Sequence, residues 1–341
     1  VAASTGAGAI TSAGASAQTS PKGRGIFMLD MATGNKIWSY TWGSTNTATT
    51  NTAMTFSVAS EVAALDTNAR GYIDRLYAVD TGGSLWRFDV GTSNISTWSG
   101  RKVFSSNPGL GGTTDVGRKA FYKPAVTLES GYDMVFFGTG DREHPLNSTL
   151  IDRIYAIKVK DSDTTVKTEN DLVDVTTNQL QATYASTSLA KAAITSVLSQ
   201  LKANSGWFIR FNEAAGEKVL SSPIVFNKVL YVTTFSPLSS SSTVDACTNS
   251  ANLGLSNLYA LNYLTGEAVL NYNYGSSSND SIVTNNTRAT SNGVVLQRID
   301  RKQTISAGIA SSPVVVISNT GKVNLMVGGS GDVKPGNVTK G

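Results

Sequence analysis

The stretch Asp74–Val90, DRLYAVDTGGSLWRFDV, consists of two strand-like runs joined at Asp80-Thr81-Gly82-Gly83. Its second run sets Trp86 and Phe88 on one side and Arg87 and Asp89 on the other, the period-two pattern of a half-buried β-strand. Glycine at the junction supplies the positive φ that a short β-turn needs. The same strand–turn–strand design returns as GIFMLDMATGNKIWSY at 25–40 and NLYALNYLTGEAVLNY at 257–272. Outside the hairpins a small or proline-led strand recurs as YKPAVTL (122–128), SSPIVF (221–226) and SSPVVVI (311–317), with SEVAAL (60–65) as a variant lacking proline. Its partner recurs as DRLYAVD (74–80), DMVFFGTG (133–140), KVLYVTTF (228–235) and KVNLMVGG (322–329).

Four-strand modules returning about every 50 residues, each burying its faces against its neighbours, predict an all-β fold: a β-propeller of four-stranded blades. One segment breaks the pattern. Residues 188–203, SLAKAAITSVLSQLKA, place Leu189, Ala193, Val197 and Leu201 four apart, with Ser188 as N-cap and Gly206 beyond the end. This spacing predicts an amphipathic helix inserted into a blade with its stripe toward the core. Residues 1–24 are low in complexity, have no periodic apolar face and are expected to form a linker or arm, leaving 25–341 as the propeller domain. The numbering opens at Val1 without an initiator methionine, as expected for a piece of a longer protein.

Immediately before the first hairpin stands Asp66-Thr67-Asn68-Ala69-Arg70-Gly71-Tyr72-Ile73-Asp74. Side chains that carry oxygen fall on alternate positions, and Gly71 occupies the sixth, where a loop around a hard cation turns sharply. Calcium takes six to eight oxygens, so the expected ligands are Asp66, Asn68 and Asp74, with backbone carbonyls from Arg70 and Tyr72. Arg70 is the departure from that pattern: its side chain offers donors and a permanent positive charge, and no acceptor. The alternative is an Asx-rich turn held by its own hydrogen bonds.

Composition narrows the function classes. Charged residues make up 15% of the 341-residue chain, below the ~25% of an average protein, and the net charge of +4 is scattered. Arg118-Lys119 with Lys123, and Arg298 with Arg301-Lys302, are the closest approaches to basic clusters; neither is interleaved with aromatics, so they read as solvated loop charge and not as a nucleic-acid surface. No apolar run approaches the ~20 residues of a membrane-spanning helix. The single cysteine, Cys247, excludes an internal disulfide framework, and the single histidine, His144, removes most metal and nucleophile–base schemes. Asp141, Arg142, Glu143 and His144 follow the VFFGTG strand as acid, base and cation together, yet no nucleophile accompanies them, so they are expected to be a turn network. Trp38, Trp42, Trp86 and Trp207 fall near strand ends and are expected to pack between sheets.

Three segments carry a resemblance: ALDTNARGYIDRLYAVDTGGSLWRFDV (64–90), VFFGTGDREHPL (135–146) and GEKVLSSPIVFNKVLYVTTFSP (216–237). Together they resemble the C-terminal domain of the PilC/PilY family, large secreted factors at type IV pilus tips, over about Gly25 to Gly331. The resemblance implies a non-catalytic modified β-propeller, secreted or at the cell surface, that helps pilus assembly, opposes retraction and serves in adhesion. Its implied partners are the pilus machinery or minor pilins and a host or abiotic surface ligand. It also implies a calcium loop, which falls on Asp66, Asn68, Arg70, Tyr72 and Asp74 and departs from the family's pattern at Arg70. The integrin-binding Arg-Gly-Asp tripeptide of some relatives is absent, because Tyr72 follows Arg70-Gly71. Two other propeller functions are weighed against this one: a quinoprotein dehydrogenase, whose vicinal-disulfide lid Cys247 alone cannot build, and a non-catalytic scaffold of the outer-membrane assembly type.

Overall fold

The computed structural model describes residues 2–3, 22–45, 53–107, 117–238, 254–270, 296–321, 323–329 and 336–337. Most of the 1–24 arm, Cys247 and the end of the 257–272 hairpin lie outside these residues. The chain divides into two compact units, residues 1–143 with 158–170, and residues 144–157 with 171–341.

In the first unit β1 (Ala2–Ala3), β2 (Gly25–Leu29), β3 (Lys36–Thr41) and β4 (Ser44–Thr45) form one sheet in that order, and β5 (Ala63–Leu65), β6 (Arg75–Val79), β7 (Ser84–Asp89) and β8 (Ser99–Ser105) form a second. A further hairpin joins β9 (Ala125–Glu129) to β10 (Tyr132–Gly138). The β6–β7 register sets Leu76 opposite Phe88 and Ala78 opposite Trp86, all four of them buried. They pack with Trp38, Met54 and Val58, and Trp38 meets Phe88 edge-on at 6.3 Å. The turn is fixed by Asp80: its Oδ1 accepts from Gly82 N and Ser84 N, both at 2.9 Å, and its Oδ2 from Trp86 Nε1 at 2.7 Å. Burial raises the Asp80 carboxyl pKa in spite of these donors.

The opposite face of the same hairpin is charged and still enclosed. Arg75 reaches Asp133 Oδ2 at 2.7 Å and Asp161 Oδ1 at 3.0 Å, and Tyr77 donates to Asp133 Oδ2 at 2.6 Å. Arg87 bonds Asp89 through Nε and Nη2 and makes an ion contact to Asp161 Oδ1 at 2.7 Å, although this N–H is not aligned for a hydrogen bond. Burial opposes ionisation of Asp161, but Arg87, Arg75 and Arg101 outweigh it and hold the carboxyl below its usual range.

In the second unit residues 153–157 of β11 (Arg153–Val159) pair antiparallel with β13 (Gly206–Arg210), which pairs parallel with β12 (Val173–Asp174). The strands β14 (Lys218–Val219), β16 (Val229–Pro237), β17 (Gly254–Asn262) and β18 (Lys302–Ala307) follow one another in a sheet that β15 (Ile224–Phe226) joins through β16. The last sheet holds β19 (Val314–Ile317), β20 (Val323–Met326) and β21 (Gly336–Asn337). Tyr231, Leu258, Ala260, Leu325 and Val327 form an apolar core here. Among the described residues, four strands per blade holds for β1–β4 and β5–β8, whereas these two sheets of the second unit have five and three. Lys218 is buried, and its Nζ donates to the carbonyls of Gly216, Pro145 and Asn147 at 2.7–2.8 Å.

The helix forms as α1 (Thr187–Ala203), the only α-helix among the described residues, and it is capped by Ser186 in place of Ser188. Ser186 has the extended backbone a cap requires and its hydroxyl accepts from Leu189 N at 3.3 Å. Ala190, Val197 and Leu201 make the buried stripe, so the face is rotated and Leu189, expected inside, is 56% exposed. A second difference concerns residues 257–272. Gly266 turns the chain with φ +69°, and Ala268 makes a single bridge to Leu261 while its N–H and carbonyl bond the side chain of Gln181 at 2.8 and 2.9 Å. The ladder partner of β17 on that side is β18.

Two predictions follow from this packing. At Gly206, φ is +130° and an added Cβ would stand 1.9 Å from Ala156 O on β11. Gly206→Ala should lower unfolding free energy in urea by about 2–4 kcal/mol, against about 1 kcal/mol for Gly131→Ala, where the space is open. For Asp161 the folded pKa is depressed, so its contribution is complete above the unfolded value of about 3.9 and disappears as pH falls through the folded one. Asp161→Asn should therefore be less stable at pH 7 and lose less on acidification below about pH 4 than the wild type, measured by urea titration across that range.

Candidate cation loop and charged turns

The Asp66–Asp74 loop connects β5 to β6 and is closed at its base by Asp74 N donating to Leu65 O at 2.9 Å. Ala69 and Gly71 adopt positive φ, 52° and 83°, which turns the chain sharply. The Asp66 carboxylate spans the turn, accepting from Arg70 N at 2.9 Å and Gly71 N at 2.7 Å. The Arg70 bond is foremost among those that hold its carboxyl below the ordinary carboxylate range. Asp74 accepts from Thr67 N at 2.9 Å, Thr67 Oγ1 at 2.8 Å and Asn68 Nδ2 at 2.6 Å. Arg70 directs its guanidinium to the Tyr72 hydroxyl at 3.2 Å.

The five predicted positions are thus gathered in one loop, but as a hydrogen-bonded turn in which Asn68 offers its N–H₂ to Asp74 and Arg70 pairs with Tyr72. With each carboxylate giving one oxygen, Asp66, Asp74 and the carbonyls of Arg70 and Tyr72 supply four, short of the six to eight that calcium takes. Turning the Asn68 amide over would supply one more oxygen. It would also set Oδ1 against Asp74 Oδ2 at about the 2.6 Å now spanned by a hydrogen bond, where two oxygens repel unless a cation draws them together. With Asn68 in that second arrangement and one carboxylate bidentate, the donor set reaches six oxygens.

At the end of β10, Lys119 Nζ lies 2.9 Å from both Asp141 Oδ2 and Glu143 Oε2, Asp141 Oδ1 caps Glu143 N, and Arg142 stands over the Tyr122 ring. His144 accepts from Asn147 N through its carbonyl. Asp141 and Glu143 are therefore engaged in ion pairing within a turn. Arg118 and Lys119 are 2% and 3% exposed, Arg118 paired with Glu169 at 3.2 Å, so the solvated-charge reading of this pair is corrected. The available signal was an acidic turn, Asp141–Glu143, just after the second of the two strands that follow the basic pair. Trp38, Trp86 and Trp207 are buried as expected; Trp42 is 47% exposed and packs under the Arg24 guanidinium, 3.9 Å from its ring centre.

No family model matches the sequence, and no curated protein matches it. Among solved structures, the C-terminal domain of PilY1 from Pseudomonas aeruginosa aligns with a TM-score of 0.57 and 17% identity, covering 92% of this chain and 67% of that one. The Dos1 propeller aligns with a TM-score of 0.41 and 12% identity, covering 89% of this chain and 48% of that one. Among the described residues sheets dominate both compact units, the second also holds α1, and the PilY1 alignment runs through nearly the whole chain. The chain has the fold of the PilY1 C-terminal domain, a modified β-propeller.

Proposed function

We propose that this chain is a non-catalytic binding module of a type IV pilus-associated protein, acting in assembly and retraction control and in adhesion at the pilus tip, secreted or held at the cell surface. The observation that carries the reading is the PilY1-like fold across 92% of the chain. The charged residues after β10 fit a structural turn in this reading, since Lys119 pairs with both Asp141 and Glu143. Its partners in this reading are the pilus machinery or minor pilins. Among the described residues no helix is long and apolar enough to cross a membrane. In a piliated strain that carries the protein, its deletion should reduce surface pili, and disabling retraction should restore them. Unchanged piliation in the deletion strain would remove the pilus role.

Calcium enters this proposal as a clamp on the 66–74 loop. When bound, the ion supplies positive charge that draws the Asn68 and Asp74 oxygens together; without it, the Asn68 amide fills that role as a donor. Ligand binding to the folded state adds RT ln(1 + [L]/Kd), about 2.7 kcal/mol at a hundredfold excess over Kd. Calcium added to chelator-treated protein should raise the melting temperature, and Arg70→Asn should tighten binding by removing a positive charge and adding an oxygen. Asp74→Ala should abolish the calcium increment and also lower stability in chelator, since it removes the acceptor of three loop bonds. Calorimetric titration without heat, and melting curves blind to calcium in both the wild type and Arg70→Asn, would dismiss the clamp.

A further inference from the structure

In the second unit a cavity of about 20 Å³ lies beside the 3-10 turn Arg298–Arg301 and the start of β18, with Glu213, Glu217, Tyr259, Arg298, Arg301 and Lys302 among its walls. That volume holds one water molecule or one small ion. The charges around it are unequal. Arg210 pairs with Asp174 at 3.0 Å, Arg298 and Lys302 share Glu213 at 3.3 and 3.2 Å, and Lys302 also meets Glu217 at 2.9 Å.

Arg301 differs from these three. It is 3% exposed, its Nη1 and Nη2 donate to the carbonyls of Thr176 and Val175 at 3.0 and 2.8 Å, and its Nε has no partner. Among the described residues no carboxylate stands within ion-pair distance of it. Glu217 cannot turn to it, because Oε1 already accepts from Thr234, Tyr259 and Asn257 and Oε2 holds Lys302. Carbonyl groups solvate a guanidinium without cancelling its charge, and a buried cation lacking a counter-ion is strongly disfavoured. Burial pulls the Arg301 pKa down to about 9, against the more distant influence of Tyr259, Glu213 and Glu267.

We propose that this cavity binds a single halide-sized monovalent anion, which supplies the counter-charge of Arg301 with Arg298 and Lys302 nearby. A halide matches a space of about one water molecule better than sulfate does, and a neutral molecule leaves the charge uncompensated.

Thermal unfolding at constant ionic strength tests the site, with sodium chloride or bromide replacing sodium gluconate or sulfate. The melting temperature should rise saturably with chloride and bromide alone, and Arg301→Met should abolish that response. Should Arg301→Met fail to fold, the half-exposed Arg298→Gln replaces it, with an expected loss of about threefold in halide affinity. Crystals soaked in sodium bromide give an independent answer, an anomalous peak beside Arg301. An identical response to all four anions, an undiminished halide response in the variant that folds, or ordinary water density without an anomalous signal at Arg301 would each overturn the proposal.

Discussion

The β6–β7 hairpin has two faces that must both be buried, and only one of them is apolar. Leu76, Ala78, Trp86 and Phe88 satisfy the first by packing with Trp38, Met54 and Val58. The second carries Arg75, Tyr77 and Arg87, and enclosing such groups without partners would cost several kcal/mol for each charge. Asp133 on β10 and Asp161 in the turn beyond β11 supply the missing charge, so residues far apart in sequence are brought to one place by electrostatic necessity. Asp133 takes both Arg75 and Tyr77 on a single oxygen, which fixes the β9–β10 hairpin against this face. Loops attached to this hairpin, including 66–74, inherit a rigid base.

The hairpins could be read from the chain because their causes are local. An alternating run, a glycine with positive φ and a turn aspartate lie within a dozen residues of one another around Asp80, and nothing distant competes with them. The 257–272 hairpin had the same local signature but makes a single bridge among the described residues, because β18, some forty residues on, pairs with β17 from Tyr259 to Leu255 and takes the place the returning strand would fill. Ser186 and Ser188 are both good caps by type; packing of Ala190, Val197 and Leu201 selects the earlier one and turns the helix accordingly.

The candidate loop was legible as a loop with its five positions, and illegible in its polarity. Alternating oxygens and Gly71 describe both a cation cradle and an Asx turn, and the distinction rests on which end of the Asn68 amide meets Asp74. Buried charges were harder still. Arg118, Lys119 and Arg301 belong to residue types that normally stay in water, and their burial depends on acceptors from separate strands and turns, such as Asp141, Glu169 and the carbonyl of Val175.

Lys218 gives the second unit an unusual coupling. One ammonium gathers the carbonyls of Gly216, Pro145 and Asn147, so the 145–147 segment cannot peel away unless β14 releases its lysine to water at the same moment. A protease able to cut at that segment would therefore sample the rare opening of the sheet itself, and its cleavage rate would serve as a clock for that event in place of ordinary surface fraying.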